Sequence, residues 1–175
     1  MISIKIKNLL NLNLIIGLIF CTFSGCTVQY SMGGATIESD VKTITVDDFS
    51  NNSPGGPANL GQYFTNELKD KFQSQTSLSF VEDDGDLIFQ GEITDFNTSS
   101  TSVTGDETAS QTRLTVTVSV NFVNQKHPDN DFNSDFTHYE DFDANQTLSD
   151  VEDELVEDIL EKIVDDIFDK SVVNW

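Results

Sequence analysis

Apolar and polar residues alternate most regularly in the second half of the chain, between residues 114 and 122. The apolar positions there are Leu114, Val116, Val118, Val120 and Phe122. A period of two over this length predicts a strand with one buried face and one face open to water. Leu87, Phe89 and Ile93 share one face of a second such segment. We expect the two segments to form a long antiparallel hairpin across a glycine-bearing turn at 104–110.

Shorter segments of the same kind predict three further strands. Branched residues alternate between 41 and 49, a short apolar segment follows at 78–81, and phenylalanines recur in phase over 132–142. Asparagine, serine, proline and glycine at 51–56 predict a loop after the first of these strands.

Two other segments repeat their apolar residues every four positions, which is typical of helices that pack through one face. The first is expected to begin at Pro57, whose fixed φ suits a first turn, and to end near Ser74. The second is expected to begin at Ser149, which together with Glu152 matches a capping box.

The order strand, helix, strand, hairpin, strand, helix predicts an α+β fold. Each helix and each central strand has one apolar face. The simplest arrangement is therefore a two-layer sandwich with two helices packed on one face of a mixed β-sheet. The polar face of the sheet points outward, and the first helix forms a right-handed crossover between parallel strands.

The first 25 residues have a different character. Lys5 and Lys7 precede an apolar segment at 14–20, which is the order of a signal peptide. The segment Phe23-Ser24-Gly25-Cys26 resembles the lipobox of bacterial lipoproteins, in which the cysteine receives a diacylglycerol and becomes the first mature residue.

This resemblance divides the chain into three parts. We expect a lipoprotein signal peptide at 1–25, a lipidated tether at 26–40 that begins with Cys26, and a single domain at 41–175. An ordinary signal peptide and an uncleaved anchor are the alternatives.

After residue 25 the chain carries 30 acidic and seven basic residues, a net charge of −23. Such a field repels nucleic acid and bare anionic lipid and favours cations and basic partners. Both cysteines lie before residue 27. The domain is therefore expected to fold by packing alone, without a disulfide.

The sequence contains no nucleophile elbow, no phosphate loop and no metal-spaced set of histidines and cysteines, so we expect no enzyme. Five residues match ligand positions of an EF-hand-like calcium loop. They are Asp129, Asp131, Asn133, Asp135 and Glu140. Ser134 stands where that loop needs glycine, and nearby phenylalanines favour a strand. A calcium site and a solvated strand face are both left open.

The polar side of the last helix is strongly acidic. Its members are Glu154, Glu157, Asp158, Glu161, Asp165 and Asp169. Either it is a solvated face or it is a docking surface for a basic partner.

Several segments in a fixed order resemble the LptE-type lipopolysaccharide-assembly lipoproteins. The segments are the lipobox, the strand at 41–46, Gly85 to Ile93, Glu107 to Ala109 with Arg113 to Val116, and the tail from Leu148 to Trp175. The resemblance covers nearly all of the mature chain and implies a two-layer sandwich.

The resemblance also implies a function without catalysis. Such proteins are anchored in the inner leaflet of the outer membrane, on the periplasmic side. They plug the LptD-type β-barrel, help to assemble it, and support delivery of lipopolysaccharide to the cell surface. Members contact lipopolysaccharide phosphates through basic residues, and Arg113 is the candidate for that role here.

Two other functions remain as alternatives. One is a periplasmic lipoprotein adaptor for a cell-wall or efflux complex. The other is a calcium-dependent binding module centred on 129–140. Apart from the lipid on Cys26 and this calcium ion, we expect no cofactor.

Overall fold

The computed structural model describes residues 37–102 and 110–172, in which six strands and two helices form. The strands are β1 (Thr43–Val46), β2 (Ser50–Asn51), β3 (Ser79–Phe80), β4 (Leu87–Ser102), β5 (Ser110–Asn124) and β6 (Phe132–Asp143). The helices are α1 (Leu60–Gln75) and α2 (Leu148–Val172), and a 3-10 turn at Pro128–Asn130 precedes β6. The predicted signal peptide, Cys26, most of the predicted turn at 104–110 and Trp175 lie outside the described residues.

The strands form one mixed sheet in the order β3-β1-β4-β5-β6, with β2 beside β4. β1 runs parallel to β3 and β4, whereas β4, β5 and β6 are antiparallel neighbours. The predicted hairpin of β4 and β5 is confirmed, with pairs from Leu87 and Asn124 to Ser102 and Ser110. A bulge between Ile93 and Asp95 shifts the phase of β4.

Both helices cover the same face of this sheet. Its inward residues are almost fully buried, and a series of phenylalanine contacts crosses the core from α2 through α1 to β6. The series is Phe168, Phe72, Phe89, Phe122, Phe132 and Phe136, with ring centroids 4.8–6.1 Å apart. The predicted α+β sandwich is therefore confirmed. No helix in the two described ranges is long and apolar enough to span a bilayer.

The start of α1 differs from the prediction. The helix begins at Leu60 rather than Pro57, because the Leu60 N–H bonds to the Pro57 carbonyl in a separate turn (3.0 Å). α1 then lies unusually close to the segment between β1 and β2. A Cβ on Gly61 would come within 2.2 Å of the Phe49 carbonyl oxygen, and the Phe49 N–H donates to the Thr65 hydroxyl (3.0 Å).

The start of α2 also differs. Leu148 is the first helical residue, so Ser149 lies inside the first turn and does not cap it as predicted. Thr147 precedes the helix instead, and its hydroxyl donates to the Asp150 carboxylate (2.6 Å). The Asp150 N–H donates to the Thr147 carbonyl (3.0 Å), so the first turn of the helix closes on Thr147.

The sheet is joined at one end by a single carboxylate. Asp86, immediately before β4, accepts the backbone N–H groups of Lys42 (2.7 Å) and Thr43 (3.0 Å) through one oxygen. Its other oxygen lies 3.2 Å from Lys126 Nζ. The Asp86 carbonyl also accepts the Gln125 N–H (2.8 Å). One side chain thus connects the start of β1, the start of β4 and the turn after β5.

These bonds favour the ionised form of Asp86. The Lys42 N–H bond is the largest cause, and together the donors outweigh desolvation and lower the pKa of Asp86 from 3.8 to about 2. A depressed carboxyl pKa contributes stability above the unfolded value, and that stability is lost as the pH falls toward the folded value.

Residues 37–40, at the end of the predicted tether, contact the domain. Ile37 packs against the core, and the Val41 N–H donates to the Glu38 carbonyl (3.1 Å). His127 Nε2 lies 3.2 Å from Asp40 Oδ1, and this hydrogen bond is the main cause of the lowered pKa of Asp40.

We expect Asp86→Asn to lower the free energy of unfolding by about 2 kcal/mol at pH 7, which is the equivalent of the drop in pKa to about 2. Urea unfolding across the pH range measures this difference. It should be constant above about pH 5. It should shrink as the pH falls through 3.8 toward about 2, because the carboxyl of the unfolded chain is then protonated while that of the folded chain is still ionised. Asp83→Asn, an exposed change in the same turn, is the matched control. A pH-independent difference would contradict the role of the Asp86 charge.

Candidate functional surfaces

The open face of the sheet carries the predicted lipopolysaccharide contact, Arg113. This residue lies near the start of β5, opposite Ser99 on β4 and Asp141 on β6. Antiparallel neighbours directly opposite each other place their side chains on the same face. Arg113 therefore projects from the middle of three strands, away from both helices.

The guanidinium of Arg113 already interacts with two neighbouring side chains. Its Nε and Nη2 atoms donate to the two oxygens of Asp141 (2.7 and 2.9 Å), and its guanidinium carbon lies 3.5 Å from the ring centroid of Tyr139. The Asp141 hydrogen bonds raise the pKa of Arg113, and Arg113 in turn lowers the pKa of Asp141. A phosphate would have to compete with this bidentate pair, so the geometry adds no support to the predicted contact.

The five predicted calcium ligands lie on a turn and a strand, not on one loop. Asp131 Oδ1 accepts the Asn124 N–H (2.7 Å). Asn133 and Asp135 follow on the open face of β6, opposite Asn121 and Ser119.

The remaining two ligands lie apart from these. Asp129 is exposed in the 3-10 turn, and Glu140 is on the inward side of β6, where Lys162 of α2 donates to it. No group of three or more histidine, cysteine, aspartate or glutamate side chains converges on a metal position within the described residues. Calcium binding thus stays a prediction, and the fold does not bring its ligands together.

The acidic side of α2 forms a larger charged surface than the sequence indicated, because α1 lies beside it. Glu67 and Asp70 of α1 face Glu157 and Glu161 of α2 across a groove of about 380 Å³. Sequence reasoning treated the acids of the two helices separately. The polar residues of α1 between its apolar positions were the available signal, but only helix packing shows that they share this groove.

Carboxylates in this groove repel one another. Burial is the main cause of the raised pKa of Glu67, and the charges of Asp70, Glu157 and Glu161 raise it further. Burial also raises the pKa of Tyr63, with Glu67 as the next contribution. Lys71 is the base that lines the groove, and its Nζ is 2.5 Å from Asp165 Oδ1.

Basic side chains between residues 42 and 170 are nearly all engaged locally. Five of the seven pair with carboxylates, and Lys170 lies over the Phe132 ring and donates to Ser134. The paired bases are Lys69, Lys71, Arg113, Lys126 and Lys162. The described surface is consequently dominated by acidic side chains without a basic cluster.

Comparison with known proteins gives one family. The model of the LptE family, described as lipopolysaccharide-assembly, matches residues 41–171, which include all six strands and nearly all of both helices. No curated protein was found to match the sequence.

Several solved structures are similar to this chain at low sequence identity, and the first named here has a TM-score above 0.5. A hypothetical protein of Chlamydia trachomatis, CT253, is 10% identical, with 77% of this chain and 99% of that chain covered and a TM-score of 0.53. Rare lipoprotein B of Shewanella oneidensis is 11% identical, with 72% and 90% covered and a TM-score of 0.48. Uncharacterized lipoprotein B of Nitrosomonas europaea is 13% identical, with 80% and 86% covered and a TM-score of 0.46.

We expect Glu67→Gln to raise the melting temperature at pH 7, because it removes a partly buried charge from among like charges. A raised carboxyl pKa means that the folded state holds the proton more tightly than the unfolded state, so the gain should disappear as the pH falls below 4.5, the ordinary pKa of a glutamate side chain. Added salt should also reduce it by screening. Glu154→Gln, on the exposed side of α2, is the control. Equal effects of the two changes at every pH would contradict repulsion within the groove.

Proposed function

Since the chain belongs to the LptE family of lipopolysaccharide-assembly proteins, we propose that it is a lipoprotein that plugs and helps to assemble the lipopolysaccharide-transport β-barrel. The observation that carries this proposal is the family match over 41–171. The role is non-catalytic: the chain holds a barrel in its working form, which supports delivery of lipopolysaccharide to the cell surface.

The charge of the domain determines which contacts suit this role. After residue 25 the chain has 30 acidic and seven basic residues. The charges of the basic side chains are largely neutralised by neighbouring carboxylates. Such a surface disfavours direct binding of an anionic glycolipid unless divalent cations bridge the two. It suits docking into a barrel lumen lined with lysine and arginine, because complementary charge steers association and fixes orientation.

The acidic side of α2 is the part of the surface that we assign to the barrel. Glu154, Asp158 and Glu161 are exposed and lie three and four positions apart, so they share one side of the helix. The sheet lies behind the opposite side of α2, where the apolar residues are buried. In this arrangement lipopolysaccharide contact through Arg113 is secondary, because Asp141 already neutralises that guanidinium.

Attachment to the outer membrane is part of the same proposal. The lipid on Cys26 supplies it, and the absence of acidic residues at 27–31 favours the periplasmic side. Residues 37–40, the last four of the predicted tether, contact the domain.

The experiment is a pull-down in mild detergent with a C-terminal tag, followed by mass spectrometry. We expect a large outer-membrane barrel in near-equal amount. A cell-wall synthase or an efflux component in its place would favour the alternative adaptor. In cells that lack the chain we expect the barrel to be immature, and recovery of a mature, correctly oxidised barrel would refute the assembly role.

A charge-reversal pair tests the assigned surface. We expect the triple variant Glu154→Lys, Asp158→Lys and Glu161→Lys to lose most of the copurified barrel, because it replaces attraction by repulsion. The control triple, Asp83→Lys, Asp129→Lys and Asp135→Lys, changes the net charge equally at exposed positions away from α2. Thermal melting must show that both variants are folded at the temperature of the pull-down. Equal loss in both triples would show that net charge, and not the α2 surface, is responsible.

A further inference from the structure

The two edges of the sheet are protected to different degrees. At the β6 edge, Lys162 of α2 donates to Glu140, and His138 Nε2 lies 2.7 Å from Asp166 Oδ2. Charged side chains and a covering helix are common means by which proteins prevent an edge from pairing. At the β3 edge Phe80 and Val81 are exposed instead, and the charged side chains of Asp48 and Glu82 lie at the margin of the groove beside them.

Apolar side chains are exposed at the β3 edge. In the ranges 37–102 and 110–172 three large hydrophobic side chains are exposed, and two of them are consecutive here: Phe80 at 38% and Val81 at 37%. The third, Tyr139, stacks on the Arg113 guanidinium, and this contact explains its position on the surface. An exposed apolar pair on an edge strand indicates a binding site or a risk of aggregation.

The backbone at this edge is also available for pairing. The N–H groups of Ser79 and Val81 donate to β1, to the carbonyls of Lys42 (2.9 Å) and Ile44 (3.0 Å). Backbone groups alternate in direction along a strand, so those of Phe80 point away from the sheet. β3 is the outermost strand on this side among the described strands.

β1 continues beyond its neighbour. The β1–β3 pairing ends at Ile44 and Phe80, but β1 extends to Val46. Val46 therefore has no strand beside it on this side within the described residues. A groove of about 760 Å³ lies here between β1, β3 and α1, with Val46, Phe80 and Val81 among its lining residues.

The rim of the groove is acidic. Asp48 and Glu82 are exposed at its margin, and Lys69 of α1, which lines it too, is 3.8 Å from Asp48. A second copy of this chain would bring a net charge of −23 against an equal charge, which opposes pairing of two β3 edges. A partner that carries basic side chains would be complementary to this acidic rim.

We infer that this β3-edge groove binds an extended segment of a partner protein, in which apolar residues alternate and at least one lysine or arginine is present. The segment lies beside Val46 as an added strand and forms main-chain hydrogen bonds. Its apolar side chains cover Phe80 and Val81, and its basic side chain meets Asp48 or Glu82. This site is separate from the acidic side of α2, so it stands whether or not that surface docks to a barrel.

The test is photo-crosslinking of the full chain in its native host, with p-benzoylphenylalanine at Phe80 or, in a second variant, at Val81. The same group at Tyr139 is the matched control, because that aromatic is exposed at the other edge. We expect an adduct from the Phe80 or Val81 position and not from Tyr139. Mass spectrometry of the crosslinked peptide should give a segment with alternating apolar residues and a nearby lysine or arginine.

Charge reversal at the rim provides the second measurement. We expect Glu82→Lys to lower the adduct yield about tenfold through repulsion of the basic side chain, and Asp83→Lys, which lies outside the groove lining, to leave it unchanged. An adduct with a second copy of this chain would overturn the inference. So would equal labelling from Tyr139, the absence of adducts at both groove positions, or a crosslinked peptide without basic residues.

Discussion

The carboxylate of Asp86 is the interaction on which the arrangement of the sheet depends. A long hairpin forms by local pairing, but β1 is short, parallel and more than 40 positions from its partner in the sequence. Few ladder bonds hold such a strand, and closing the intervening loop opposes its docking. Two backbone N–H groups and one ammonium group on a single carboxylate add a charge-assisted link at that point.

Close backbone approach supports the same junction. The Gly85 N–H donates to the Thr45 hydroxyl (3.0 Å), and a Cβ on Gly85 would come within 2.6 Å of the Thr45 nitrogen. A similar constraint applies in the core, where a Cβ on Gly91 would meet the Ser119 carbonyl oxygen at 2.1 Å. Both glycines belong to the segment 85–93, so its composition reflects contacts with β1 and β5 in addition to its own strand.

The fold separates its chemistry into distinct surfaces. The open sheet face is polar and internally paired, as Arg113 and Asp141 show. The helical side instead gathers several carboxylates of both helices around one lining base, Lys71. The β3 edge combines exposed apolar side chains with an acidic rim. An assembly protein needs surfaces for partners rather than a reactive centre, and each of these surfaces differs in the partner chemistry that it favours.

The alternation over 114–122 and the four-residue repeat of both helices determined the layers by themselves, because burial of one face follows directly from periodicity. The acidic charge was equally evident from the sequence. The predicted starts of both helices were wrong by a few residues. Several neighbouring residues carry helix-start signals, and the hydrogen bonds of Leu60 and Thr147, which depend on local geometry, decide which of them is used. Only the tertiary structure decided that Asp86 binds β1, that Asp141 neutralises Arg113, and that Glu67 faces α2. Each of these contacts joins residues far apart in the chain, and no periodicity specifies which of many acids will meet which donor.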